Sequence, residues 1–379
     1  MIPAAAELSR TEAGGAEPGK GRFTLDGDAG LEANLAATAA RVLSGIRGLV
    51  PARRIEALLL GGGYGRGEGG VLREAGGDRP YNDLEFYLFL KGNRHANEVR
   101  YHRRLEVLAQ ILTPLADVEV EVKIASVAEW RSRPASMFSY DLALGHRSLA
   151  GPAPVLGEQH RSAEELPREE ATRLLMNRGT GLLLAQAELQ RPALTPAAAD
   201  FVRRNLAKAQ LACGDAVLAA RGLYHWSCRE RELRLRRLAA AARLPGGDIL
   251  REHHAAGVAF KLRPVAGGMG REELTALHAR VSDLLRACWL ELESERLGRA
   301  FGSVREYVDA PVDLCPGTSG ARNLILNARL ARGRVWRTAR PTRHPRERIY
   351  RLLPALLWEP ERAQGEGLEA YRALWAKVQ

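Results

Sequence analysis

Leu58–Phe89 reads LLLGGGYGRGEGGVLREAGGDRPYNDLEFYLF, and the fold turns on how its parts connect. The run Ile55–Leu60 (IEALLL) is short, apolar and stopped by glycine, which predicts a buried strand. Closely spaced glycines follow at Gly61, Gly62, Gly63, Gly65, Gly67 and Gly69. Such a loop lets backbone N–H groups approach a ligand without a Cβ in the way, and can cradle phosphate oxygens. Gly65, Gly67 and Gly70 satisfy G-x-G-x-x-G, but a dinucleotide fold needs a crossover helix before the next strand. The only space is Val71–Asn82, which holds Gly76, Gly77 and Pro80 and cannot supply one. No Lys-Ser/Thr pair follows the glycines, so a P-loop is excluded as well.

The next strand, Asp83–Leu90 (DLEFYLFL), opens on two acids. Residues i and i+2 of a strand share a face, so Asp83 and Glu85 point the same way. With no basic residue beside them in sequence, they repel unless a cation lies between them. Hard oxygen ligands beside a phosphate cradle favour Mg²⁺ or Mn²⁺. A third strand, Val118–Ala125, places Asp117, Glu119, Glu121 and Lys123 on one face, opposite Val118, Val120, Val122 and Ile124. If the two strands pair, one of these acids completes a two-metal cluster for in-line attack on a phosphoryl group.

Around this segment, Leu31–Val50 carries apolar residues at helical spacing and ends at Pro51. His95–Leu112 repeats the pattern at Val99, Leu105, Leu108 and Ile111. Residues 29–130 therefore read as a small α/β unit, which the resemblance given below extends to a catalytic domain over 29–150. Residues 1–28, rich in Ala, Gly and charge, read as a disordered tail. Beyond it, Glu169–Leu189, Pro196–Leu223, Trp226–Ala242, Ile249–Leu262, Glu272–Leu297 and Arg322–Leu330 all read as helices, so 151–379 is expected to be all-helical.

The 379 residues are 46% apolar, which excludes whole-chain disorder. No apolar run nears the ~20 residues of a membrane span, and the first 22 residues show no secretory signal. The chain is expected in the cytoplasm, with no membrane partner. Cys213, Cys228, Cys288 and Cys315 are too widely spaced for a CxxC zinc site. The net charge of +11 comes mostly from arginine, either by coding bias or by selection for phosphate partners.

Gly62-Gly63-Tyr64-Gly65-Arg66-Gly67 followed by Asn82-Asp83-Leu84-Glu85 resembles the signature of the DNA polymerase β-type nucleotidyltransferases, in the style of aminoglycoside adenylyltransferases with a C-terminal helical domain. The resemblance spans roughly residues 55–125. It implies a polymerase β-like domain with a small mixed sheet, followed by the all-α domain. Gly61, Gly62 and Gly63 would hold the nucleotide phosphates, with Arg66 balancing their charge. Asp83, Glu85 and Glu121 would be both the catalytic acids and the metal ligands, with Glu119 an alternative for the third. The implied reaction moves a nucleoside monophosphate from an NTP, with ATP the expected donor, to a small hydroxylated acceptor. RNA, a protein target, or a non-catalytic nucleotide-binding role are the alternatives. Three departures stand out: Gly63 replaces a serine, the Gly63–Asp83 spacer is about ten residues longer than usual, and Glu85 replaces an aspartate.

Downstream, Asp141 is either a cap or a ligand. Lys208 is a candidate triphosphate contact. The segment 329–351, with nine arginines, Glu347 as its one acid and Trp336 among them, is a candidate RNA contact.

Overall fold

A computed structural model of the chain describes residues 21–152, 155–238, 245–265, 267–331, 341–363 and 367–378. The described residues form a mixed α/β structure with one small mixed sheet and many helices. They separate into two compact units. The first comprises the described residues within 1–170, 218–239 and 255–268, and the second those within 171–217, 240–254 and 269–379.

In the first unit, α1 (Ala29–Leu49) starts at Asp28, whose carboxylate accepts from Leu31 N at 2.8 Å. It stops where Pro51 removes a donor. Strand β1 (Ile55–Leu60) runs into α2, a single turn over Gly62–Gly65. The hairpin β2 (Val71–Glu74) and β3 (Gly77–Pro80) follows, and then β4 (Leu84–Leu90). Next come α3 (Arg94–Ala116), β5 (Val120–Ala125), α4 (Val127–Ser132), α5 (Met137–Leu144) and β6 (Arg147–Ala150).

The sheet order is β5–β4–β1–β6. Strand β1 pairs antiparallel with β4 and β6, whereas β4 and β5 are parallel, joined by α3 as the crossover. Both faces of β1 and β4 are covered, which is why these strands are near-continuously apolar. Leu58, Leu60, Phe86, Leu88, Val120 and Ile124 pack against Leu35, Val42 and Ile46 of α1 and Tyr101 and Leu105 of α3. The alternate residues Ala57, Leu59, Tyr87 and Phe89 pack against Trp130 of α4 and Leu142 of α5. Helix α3 forms where the spacing predicts it, but its buried face differs. Val99 and Ile111 are exposed, and Asn97, Tyr101, Leu105, Ala109, Leu112 and Ala116 face the core. An asparagine, a tyrosine and two alanines share that face with Leu105 and Leu112, so counting large aliphatics alone misplaces it.

Residues 1–20 of the expected tail lie outside the described residues. Residues 21–28 are packed: Phe23 is buried, its carbonyl accepts from Gly69 N at 3.1 Å, and Thr24 bridges to Gly69.

Among the described residues no strand follows β6. The first unit also holds α8 (Cys228–Arg237) and residues 255–262 of α9 (Asp248–Leu262). The second unit contains most of α6 (Glu169–Leu189) and α7 (Pro196–Ala220). To these it adds α10 (Arg271–Leu297), α11 (Val304–Asp309), α12 (Gly320–Ala331), α13 (Arg346–Trp358) and α14 (Leu368–Val378). Its centre is Trp289, edge-on to Tyr307, Tyr350 and Trp358. A buried Glu293–Arg296 pair beside it accepts hydrogen bonds from Thr172 and Tyr307 through the glutamate. No helix among the described residues is long and apolar enough to cross a membrane.

Candidate metal centre

The parallel pairing of β4 with β5 sets Glu85 opposite Glu121 and Tyr87 opposite Lys123. These positions share the sheet face that Trp130 and Leu142 bury further along, and they lie towards the N-terminal ends of the two strands. Asp83 immediately precedes β4. One carboxylate oxygen from each of Asp83, Glu85 and Glu121 lies within 4.8 Å of the others, a geometry that could hold a metal ion. Glu119 is exposed and outside this group; its carbonyl accepts from Leu84 N at 2.8 Å. Asp117 is drawn away to Arg79 of the hairpin.

Three like charges so close must be compensated. Asp83 is exposed, yet the protein packed beside its carboxyl and then the Glu85 charge raise its pKa. Lys123 supplies a cation: its Nζ lies 2.7 Å from Glu85 Oε1 and 2.6 Å from Glu121 Oε2. Partial burial works against the ammonium, but hydrogen bonds to Glu121 and Glu85 prevail and raise its pKa. The Tyr87 hydroxyl donates to Glu85 Oε1 at 3.4 Å. Burial, reinforced by Glu85, raises the pKa of that phenol, so it stays a donor.

The glycine loop adjoins the acids. Gly61 N donates to Glu85 O at 2.9 Å, extending the β1–β4 ladder by one bond. Gly62 has φ +62°, and a Cβ there would lie 3.2 Å from Glu85 Oε2. Gly65 is required for space, since its Cβ would meet Leu60 O at 2.1 Å. The long spacer is the β2–β3 hairpin, and Tyr64 closes it. Its hydroxyl donates to Gly70 O at 2.8 Å and accepts from Tyr81 N at 2.9 Å, holding both feet of the insertion together. The acids thus reach the glycine loop despite the extra residues.

Arg66 points into the protein. Its Nη1 donates to Asp141 Oδ2 at 3.2 Å and to Trp226 O at 2.7 Å, with the side chain 9% exposed. Burial is the largest single influence and opposes its charge, but Asp141, Tyr224 and Glu68 together outweigh it and raise its pKa. Tyr224 donates to the same Asp141 oxygen at 3.2 Å. Two residues on, buried Glu68 accepts from Ser227 Oγ at 2.5 Å and from Cys228 N at 2.9 Å, at the start of α8. Burial raises the Glu68 pKa, but these bonds and Arg66 lower it more, leaving it below the usual carboxylate value. Arg66 and Glu68 therefore lock the end of the glycine loop to residues 226–228.

Gly61, Gly62, Gly63, Asp83, Glu85 and Glu121 are gathered in the first unit. Lys208 is an exposed residue of α7 in the second. In the arginine-rich segment, residues 332–340 lie outside the described residues. Arg343 is engaged by Glu347, and Arg351 by Glu347 and the Val308 and Val312 carbonyls. Sequence reasoning gave no role to Lys123 or Glu68. The lysine was legible, lying two residues from Glu121 on the same face; Glu68 was not, because its partners are 159 and 160 residues away.

Compared with models of known protein families the chain matches none, and no curated protein matches it either.

Proposed function

We propose that the chain is a metal-dependent nucleotidyltransferase whose first unit has the polymerase β-like fold. The observation that carries this reading is the juxtaposition of three carboxylates with a glycine turn. The ligand oxygens of Asp83, Glu85 and Glu121 converge within 4.8 Å, and Gly62 leaves the space 3.2 Å from Glu85 Oε2 open. An all-oxygen donor set suits a hard divalent cation, Mg²⁺ or Mn²⁺. Asp83 and Glu85 would hold it, and bound there it would supply charge stabilisation at the phosphates of an NTP.

The chain's own residues divide the remaining work. Gly61 is buried with its N–H given to Glu85 O, so contact with the triphosphate falls to the partly exposed backbone of Gly62 and Gly63. Arg66, turned inward onto Asp141, fixes the shape of the loop rather than reaching the phosphates. The acceptor hydroxyl oxygen attacks the α-phosphorus and passes its proton to Glu121. The bond from the α-phosphorus to the bridging oxygen then breaks, releasing pyrophosphate. Glu121 is suited to the base role because it faces Glu85 across the pair, on the acidic face of the sheet. A small hydroxylated molecule is the favoured acceptor and ATP the favoured donor.

The test is pyrophosphate release from each of the four NTPs, with Mg²⁺ or with chelator, against a panel of aminoglycosides and other polyols. Release that requires both one NTP and a divalent ion supports the reading. Metal-independent release, or none with any donor, counts against it.

A further inference from the structure

The geometry points to Lys123 as a built-in counter-cation that fills one of the two cation positions among Asp83, Glu85 and Glu121, so that the site loads a single divalent ion before nucleotide binds. This rests on the metal reading above and deepens it. The Nζ of Lys123 bridges Glu85 Oε1 at 2.7 Å and Glu121 Oε2 at 2.6 Å. It therefore sits between the two carboxylates that a second ion would have to share. Glu85 is divided by this contact. Its Oε1 takes both the lysine and the Tyr87 hydroxyl, and its Oε2 faces Gly62. The position left for a metal is accordingly on the Asp83 and Gly62 side.

Charge leads to the same count. Three carboxylates and one ammonium sum to two negative charges, which one divalent ion neutralises; without the lysine the deficit is three. The register explains why this residue does it. Lys123 is two positions beyond Glu121 on the same face, opposite Tyr87, whose ring lies 5.7 Å from the ammonium. Its side chain is 46% exposed, so exchanging it removes no core packing. The inference also separates the two roles open to Glu121: held by lysine, it serves as the base rather than as a ligand of a second ion.

The experiment counts Mn²⁺ bound to the full chain without nucleotide, by electron paramagnetic resonance of the free ion. Wild type is compared with Lys123→Met and Lys123→Gln, each shown to be folded by far-ultraviolet circular dichroism. One ion in wild type and two in both variants is the expected result. Equal counts in all three overturn the inference while leaving a metal site standing. No Mn²⁺ in any of them overturns it together with the metal reading.

Discussion

Glu85 and Glu121 are register partners in the parallel β4–β5 pair, and the chain brings them together through a crossover helix of 23 residues, α3. Two acids face to face across a ladder are destabilising on their own. Lys123, within hydrogen-bond distance of both, offsets part of that repulsion.

The glycine turn gives the first prediction. Gly62→Ala forces an alanine into φ +62° and brings a methyl to 3.2 Å from Glu85 Oε2. The backbone term costs about 1–2 kcal/mol, and the contact displaces the Glu85 carboxylate, so under the proposed metal site Mn²⁺ affinity is expected to fall at least tenfold beyond any loss of stability. Gly48→Ala is the control. It lies in α1 with nothing within 4 Å of the new methyl, and should gain about 0.5–1 kcal/mol with unchanged Mn²⁺ binding. Paired urea unfolding and Mn²⁺ titration of both variants decide the matter; equal Mn²⁺ affinity in Gly62→Ala would refute the placement of the turn.

The Arg66–Asp141 pair gives a second. Asp141→Ala leaves the buried guanidinium with only the Trp226 carbonyl, and should cost about 3 kcal/mol. The double variant Arg66→Met with Asp141→Leu removes both charges and should cost markedly less than Asp141→Ala. Urea unfolding of wild type, Asp141→Ala, Arg66→Met, Asp141→Leu and the double variant measures this. A double variant as unstable as the sum of its singles would show that the two side chains act independently.

A third concerns acid. His225 is pushed down to about 4 by burial and by the positive charges of Arg234 and Arg231. Its folded pKa is below its unfolded value of about 6.5, so the unfolded chain takes up the proton first. Its contribution to stability is therefore full above about pH 6.5 and is lost as pH falls towards 4, amounting to about 3 kcal/mol. His225→Gln should flatten the pH dependence of unfolding between pH 7 and 4.5. An unchanged slope would remove His225 as its source.

The parts of this molecule legible in sequence were those set by local pattern. Strand β1, the acids at the head of β4, and helix α6 with its Glu169–Leu189 bounds follow from short-range apolar spacing. The hairpin β2–β3 was read only as an insertion, because its residues are polar and half-exposed and show no alternation. Strand β6 (RSLA) has no apolar signature, and exists because β1 offers it an edge. The role of Arg66 is non-local: its partners lie 75 and 160 residues away, and no pattern near Gly65 announces them. Glu121 was distinguishable from Glu119 only once the β4–β5 register was known, although both share a face by parity.

Glu85 carries the central claim most heavily, since its two oxygens face Lys123 on one side and the glycine turn on the other. Calorimetric titration of ATP, CTP, GTP and UTP into wild type and Glu85→Ala, with and without Mg²⁺, tests it directly. The expected result is binding of one nucleotide that requires Mg²⁺ in wild type and disappears in Glu85→Ala. The variant should unfold within about 1 kcal/mol of wild type, because a partly exposed ion pair contributes little. Nucleotide binding that is independent of Mg²⁺, or that survives in Glu85→Ala, would contradict the account.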